Sequence, residues 1–186
     1  VHLLDGLDFR SVFSYDNSET KDHIYYSPNH FSGQSDNGVV HEMSTNYTTL
    51  VSSSTLNYNK TFGEKHTLGV LAGFEAEKNK TDFMRSSGTN LPVSSLQVVQ
   101  TAGKTEAGGY SWGNSIVSIL SKAEYNYDGR YYVSGSFRRD GSSRLSEDAR
   151  WGNFWSAGAM WNIAQENFMR NVTWMNKLQL KASYGS

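Results

Sequence analysis

The chain is predicted to be all-β: an antiparallel up-and-down transmembrane β-barrel segment of about seven strands. Three observations predict it. First, residues 151–163 and 177–184 alternate with a period of two, the repeat of a strand. The odd positions of the former read Trp151, Asn153, Trp155, Ala157, Ala159, Trp161 and Ile163, with aromatics at the ends and small residues between. In 177–184 one face carries Leu178, Leu180, Ala182 and Tyr184 and the other Lys177, Gln179, Lys181 and Ser183. Second, connections between the alternating segments are by turns long and short, as in outer-membrane barrels with long outer loops and short periplasmic turns. Third, the chain is 37% hydrophobic yet 13% aromatic, with a mean hydropathy of −0.58. That composition is polar for a soluble core and ordinary for a barrel with a wet lumen.

The first strand is expected over 6–15, with Leu7, Phe9, Phe13 and Tyr15 opposite Asp8, Arg10 and Ser14. The second, over 40–58, has the weakest pattern, because Ser52, Ser53, Ser54 and Thr55 are nearly featureless. The polar, aromatic-bearing stretch 17–38 between them reads as a long loop. After a short connection near 62–65 the third strand, 66–77, sets Leu68, Val70, Ala72, Phe74 and Ala76 against Thr67, Glu75 and Glu77. Facing Glu75 or Glu77 to lipid would cost up to about 2–4 kcal/mol each, so that face must be wet. A second long loop is expected over 79–109. The fourth strand, 115–127, places Val117, Ile119, Ala123, Tyr125 and Tyr127 opposite Ser118, Lys122, Glu124 and Asn126. Asp128-Gly129 is a tight-turn signal. The fifth strand, 131–139, offers Tyr131, Val133, Gly135 and Phe137 on one face and Tyr132, Ser134, Ser136 and Arg138 on the other. The sixth and seventh are 151–163 and 177–184, and in the segment between them Glu166-Asn167-Phe168-Met169 is a candidate helical turn. Pro28 and Pro92 both fall in expected loops, where a missing N–H breaks no ladder.

Charge and motifs exclude more than they select. A net charge of −1 gives no basic surface for nucleic acid, and the absence of cysteine removes thiol chemistry and disulfides. No apolar run is long enough for a transmembrane helix. Gly109-Tyr110-Ser111-Trp112-Gly113 fits the G-x-S-x-G nucleophile pattern, but no strand precedes it, no helical pattern follows, and the last histidine, His66, lies upstream. The plainer account is a loop entering strand four. His2, His23, His30, His41 and His66 show no metal-ligand spacing; His23 and His30 share a loop and read as surface polar residues. Glu75, Glu77 and Glu124 meet the residue requirement of glycoside cleavage, yet wet carboxylates occur in any barrel wall. Sequons at Asn46, Asn59, Asn79 and Asn171 carry no weight in so polar a chain. No enzyme, cofactor or metal site is therefore expected.

The later residues resemble a known family. Tyr125-Asn126-Tyr127-Asp128-Gly129-Arg130-Tyr131, Ser136-Phe137-Arg138-Arg139-Asp140-Gly141-Ser142-Ser143-Arg144 and Arg150-Trp151-Gly152 stand in the order found in the barrel of SusC/RagA-type TonB-dependent transporters. So do Phe154-Trp155-Ser156, Trp161-Asn162-Ile163 and Leu178-Gln179-Leu180-Lys181-Ala182-Ser183-Tyr184-Gly185. Upstream, Tyr58 to His66 and Gly73-Phe74-Glu75 resemble the same family's earlier hairpin. Two departures are Trp155, where the family usually has proline, and Leu145, where an aromatic often stands.

The resemblance implies a piece, residues 1–186, of a plugged barrel of about 22 strands in a Bacteroidetes-type Gram-negative outer membrane. The plug and the TonB-binding segment are expected to lie outside these residues. It implies active import of oligosaccharides or peptides, with outer-membrane lipid, a SusD-like surface lipoprotein and, through the plug, the TonB complex as partners. The residues then sort into three expected roles. Asp8, Arg10, Glu75, Glu77, Lys122, Glu124, Arg138, Lys177 and Lys181 face the lumen. Tyr125, Tyr127, Tyr131, Trp151, Trp155, Trp161 and Tyr184 form aromatic girdles toward lipid. Tyr25, Tyr26, Phe31, Tyr110 and Trp112 are substrate-loop candidates, since aromatic faces stack on sugars. Two alternatives fit the alternation alone: a passive porin or structural barrel wall, and a soluble carbohydrate-binding β-domain with its apolar faces packed inward.

Overall fold

A computed structural model describes residues 1–186. Eight strands pair in one antiparallel row in chain order. They are β1 (His2–Leu4), β2 (Leu7–Tyr26), β3 (Val39–Phe62), β4 (His66–Thr89), β5 (Lys104–Tyr127), β6 (Tyr131–Ser142), β7 (Trp151–Asn162) and β8 (Gln179–Gly185). All seven expected strands are present, and the short β1 is the eighth. The sheet is one layer, so no second sheet covers its apolar face as a sandwich would require.

Strands β2 to β5 run much further than their alternation suggested. The stretch 17–26 continues β2, and 79–89 and 104–114 belong to β4 and β5, so the two expected long loops shrink to 27–38 and 90–103. At the other strand ends two connections are tight and one, 163–178, is long. Gly63 and Glu64, and Asp128 and Gly129, take positive φ to reverse the chain, and the Gly129 N–H donates to the Asn126 side chain at 3.0 Å. The 163–178 connection holds single 3-10 turns at Ile163–Gln165 and Asn167–Met169, the second on the expected helical-turn residues.

By its contacts the chain divides into two compact units. One comprises Val1–Ser14, Val51–Glu77 and Ser115–Ser186. Its register is unbroken from β5 to β8: Tyr127 faces Tyr131, Tyr131 faces Trp161, and Trp161 faces Leu180. With period-two side chains, that register puts every odd residue of β5, β6 and β7 on the same face as the even residues of β8.

The other unit comprises Tyr15–Leu50 and Lys78–Asn114. Here β2 and β3 are joined across the strands by polar pairs. Asn17 donates to Asn46 at 2.7 Å, Ser44 donates to Glu19 at 3.1 Å, and His23 meets Glu42 at 2.6 Å. The buried apolar side chains are confined to this unit: Val39, Val40 and Leu91. They sit where 27–38 and 90–103 dock together. Asn90 and Leu91 donate their N–H groups to the carbonyls of Asp36 and Asn37, and the Asn37 side chain donates to that of Asn90 at 3.0 Å. Asn37 and Asn90 hold φ of 50° and 59°, a region asparagine tolerates and β-branched residues do not. Replacing Asn37 by valine should cost about 1–3 kcal/mol locally. The expected readout is faster hydrogen exchange at the Asn90 and Leu91 amides of the full-length protein, with exchange in β6 and β7 unchanged.

Candidate functional site

Within the first unit the wall has two chemically distinct faces. On one, Tyr127, Tyr131 and Trp161 form a stacked row, with ring centroids 6.3 and 6.5 Å apart. Further along come small residues, with Ala123 opposite Gly135 and Gly135 opposite Ala157, and then Trp155, whose ring lies 5.5 Å from that of Tyr184. This face is bare: Val133 is 56% exposed and Leu180 62%. From the Tyr131 row to the level of Gly141 and Trp151 is ten residues of β6, about 33 Å along the strand and about 25 Å in depth at a barrel's usual tilt. That depth equals the apolar band of an outer-membrane barrel, with an aromatic girdle at either edge.

The opposite face is polar and ion-paired. Lys122 meets Glu124 at 2.6 Å, while Arg138 binds Asp140 at 2.8 Å and reaches the buried Ser118 hydroxyl at 3.1 Å. These half-exposed pairs add at most about 1 kcal/mol each, so they set polarity more than stability. The same face holds a recess of about 600 Å³ lined by Asn59, Gly69, Glu124, Ser134, Gly158 and Lys181. Small residues on neighbouring strands open it, since Ser134 is paired with both Glu124 and Gly158.

The connection 163–178 is tied to the wall through Glu166. Its carboxylate accepts from the Tyr131 hydroxyl at 2.6 Å and the Trp161 indole N–H at 3.0 Å, and Arg130 lies 3.6 Å away. Glu166 is 9% exposed, and these donors hold its pKa below the ordinary carboxylate value, the Tyr131 bond first and the Trp161 bond next. Two members of the expected girdle, Tyr131 and Trp161, therefore also anchor a turn.

In the second unit the expected loop aromatics prove to be mostly strand residues. Tyr25 and Tyr26 end β2, Tyr110 and Trp112 lie inside β5, and Phe31 alone stands in a connection. Tyr26 with Phe31, and Tyr110, belong to two separate groups. Tyr26 stacks on His30 at 6.1 Å and meets His41 edge-on at 6.4 Å, with Phe31 packed against His30 at 4.3 Å. His41 bonds Ser87 at 2.9 Å and lies 3.3 Å from an Arg85 nitrogen. Burial and then the Arg85 charge disfavour its protonated form. Tyr110 stacks on Phe83 at 5.1 Å, flooring a groove of about 390 Å³ bordered by Arg85, Ser87 and Glu106.

Gly109 to Gly113 lie within β5, so no strand-to-helix turn exposes Ser111, whose hydroxyl bonds Asp82. The two glycines have another cause. A Cβ at either would come within 2.5 Å of a β4 carbonyl, that of Phe83 or of Asn79. Lys177, expected on a wall strand, precedes β8 by two residues, because Ala164 bonds the Leu178 carbonyl and holds this end in the connection. Lys181 is on β8, Glu75 and Glu77 on β4, and Asp8 and Arg10 on β2, with Asp8 bonded to His2 at 2.9 Å. Phe83, Arg85, His41 and Glu166 were not singled out by pattern. Their partners are remote in sequence, and no local spacing marks them.

The register and the two faces define a segment of an outer-membrane-type β-barrel. No helix is long and apolar enough to cross a membrane, which bears on helices alone. Comparison with known proteins adds the family. The chain is 31% identical to TonB-dependent receptor P39 of Formosa agariphila over 99% of its own length and 18% of that receptor's. It is 30% identical to receptor P3 of the same organism, with 99% and 19% covered. With TonB-dependent receptor SusC of Bacteroides thetaiotaomicron it shares 31% identity over 69% of the chain and 12% of that protein. A solved RagAB peptide transporter superposes with a TM-score of 0.90 at 24% identity, covering 100% of this chain and 21% of that one. The RagAB peptide importer in its open-open state gives 0.88 at 24% identity, over 99% of this chain and 20% of that one. No family model matches the chain. The chain belongs to the TonB-dependent receptors of SusC/RagA type, and it spans about a fifth of the length of the relatives it matches.

The Glu166 anchor carries a pH signature. Its lowered folded pKa means that the unfolded chain binds the proton more readily, so the stabilisation is full above about pH 4.5 and fades as pH falls through the folded value. Denaturant midpoints of the full-length protein should be lower for Glu166→Gln than for wild type at pH 7, and the two curves should converge in acid. Tyr131→Phe, which removes the leading donor, should move the convergence to higher pH.

Proposed function

We propose that this chain is wall and outer-hairpin structure of an outer-membrane active importer of oligosaccharides or peptides, working with a SusD-like surface lipoprotein and energised through TonB. The observation that carries the proposal is the split of one continuous register into a bare apolar face between aromatic rows and an ion-paired polar face, in a chain with named TonB-dependent relatives.

In this reading the face of Val133, Trp155 and Tyr184 meets lipid, and the face of Lys122, Glu124, Arg138 and Lys181 lines the lumen. The recess beside Glu124 and Lys181 is where the rest of the protein, the plug included, would pack. The aromatic groove of Phe83 and Tyr110, with Arg85 and Glu106 at its border, presents stacking faces and both signs of charge to a passing solute. Stacking suits a sugar ring or a peptide side chain, and Arg85 suits a carboxylate. The structurally similar RagAB is a peptide transporter, and a peptide is the natural first cargo to test here.

Two experiments test the proposal. Solute uptake by cells expressing the full-length protein should collapse on adding a protonophore or deleting TonB; uptake that persists would identify a passive pore. The face assignment is tested by residues of opposite orientation. Val133→Arg should destabilise the folded protein in lipid vesicles by about 2–4 kcal/mol, while Ser136→Arg, on the polar face outside the recess, should fold nearly as wild type. Equal effects at the two positions would reject the assignment.

A further inference from the structure

One cation stands on the apolar face. Arg139 shares its side of the sheet with Phe137 and Val133, and its register partners there are Ile119 and Asn153. It is exposed and makes no ion pair, whereas its sequence neighbour Arg138, on the other face, is held by Asp140. Its one close partner is Trp151, with the guanidinium carbon 4.9 Å from the ring centroid.

The geometry around that pair is built rather than incidental. Trp151 is paired with Gly141, two residues beyond Arg139, and its indole lies across the glycine. A Cβ at 141 would come within 2.7 to 2.9 Å of three ring carbons. Any other residue there would lift the indole off the sheet and away from the guanidinium. The indole holds the guanidinium within cation–π reach, and no acid occupies the N–H donors of the Arg139 fork. By depth the pair sits at the edge of the apolar band remote from the Tyr127, Tyr131 and Trp161 row, next to the 143–150 connection and at the end opposite the tight Asp128-Gly129 turn. In a barrel that edge is the outer leaflet's headgroup level. A fork-shaped cation with no acid partner, fixed at headgroup depth, is matched by a phosphate.

We infer that Arg139, oriented by Trp151 over Gly141 and assisted by the Asn153 amide, binds the phosphate of an outer-leaflet lipid headgroup. The inference rests on the lipid-facing assignment of the odd residues of β6, and its test separates the two. The full-length protein, purified and delipidated in detergent, is titrated with diphosphoryl lipid A and followed by native mass spectrometry. Arg139→Gln should weaken binding by at least about fivefold, Trp151→Ala by less, and Arg139→Lys should retain an intermediate share because it keeps charge but not the fork. A dephosphorylated lipid A should bind wild type and Arg139→Gln alike. Folding of each variant is checked by heat-modifiable mobility, and Arg139→Lys with Trp151→Ala carries the comparison if Arg139→Gln does not fold.

Lipid A binding that is equal in all folded variants would overturn the inference. So would protection of Arg139 by millimolar inorganic phosphate to the same extent as by lipid A, which would mark a free-anion site. A nitroxide on Val133→Cys in vesicles settles the underlying assignment. Relaxation by oxygen and not by a water-soluble nickel chelate means lipid contact, and a failed lipid A result then falls on Arg139 alone. Relaxation by the chelate overturns the face assignment and the site with it.

Discussion

A backbone that crosses hydrocarbon must satisfy its hydrogen bonds within the protein, and the rest of this structure depends on that constraint. The ladder from β5 to β8 runs residue against residue without a bulge. A one-residue slip anywhere would exchange the two faces, sending Glu124 and Lys181 to the apolar side and Trp155 and Tyr184 to the polar side. Register is therefore fixed by the cost of misplacing side chains, and the tight Asp128-Gly129 turn is compatible with only one register. The wall needs almost no apolar core of its own: the buried hydrophobic side chains, Val39, Val40 and Leu91, all belong to the other unit.

The same logic explains which parts were legible in the sequence. Strands β6 and β7 could be read to within a few residues, because one face must be apolar and the other wet, and the letters alternate accordingly. Past the lipid-spanning length, about 9–11 residues, that demand ends. In 17–26 the strand persists with polar side chains, held by Asn17 with Asn46, Glu19 with Ser44 and His23 with Glu42. Cross-strand pairs of this kind stabilise a sheet as well as apolar ones do, yet each partner looks like a loop residue until the other strand is known. The loops expected at 17–38 and 79–109 were misread for that reason. Gly109 and Gly113 deepened the error, since glycine for close backbone approach and glycine for a turn are the same letter.

The candidate site divides in the same way. Lys122, Glu124 and Arg138 were visible as wet-face residues because period two alone puts i and i+2 together, whereas Asp140, expected in the connection after 139, lies on β6 as the partner of Arg138. Glu166, Phe83, Arg85 and His41 act through partners on other strands, and pairing had to be known before they meant anything. Glu166 also shows how one side chain can serve two demands. Tyr131 and Trp161 carry polar donors that need acceptors, and the 163–178 connection needs an anchor; one carboxylate accepting both donors meets the two needs together.

Trp155 is instructive about where such a wall tolerates change. The family resemblance leads one to expect proline here, which would remove a backbone donor on the β8 side of β7, where the Trp155 carbonyl accepts from the Ser186 N–H. Tryptophan restores the donor and adds a ring that packs on Tyr184 across β7 and β8. The bare face accepts the larger ring because nothing but solvent or lipid opposes it, and the neighbouring Ala157 and Gly135 leave room on the sheet. On the polar face the same substitution would fill the recess bordered by Ser134 and Gly158. Tolerance in this chain thus follows the face a residue occupies more than its position along the strand.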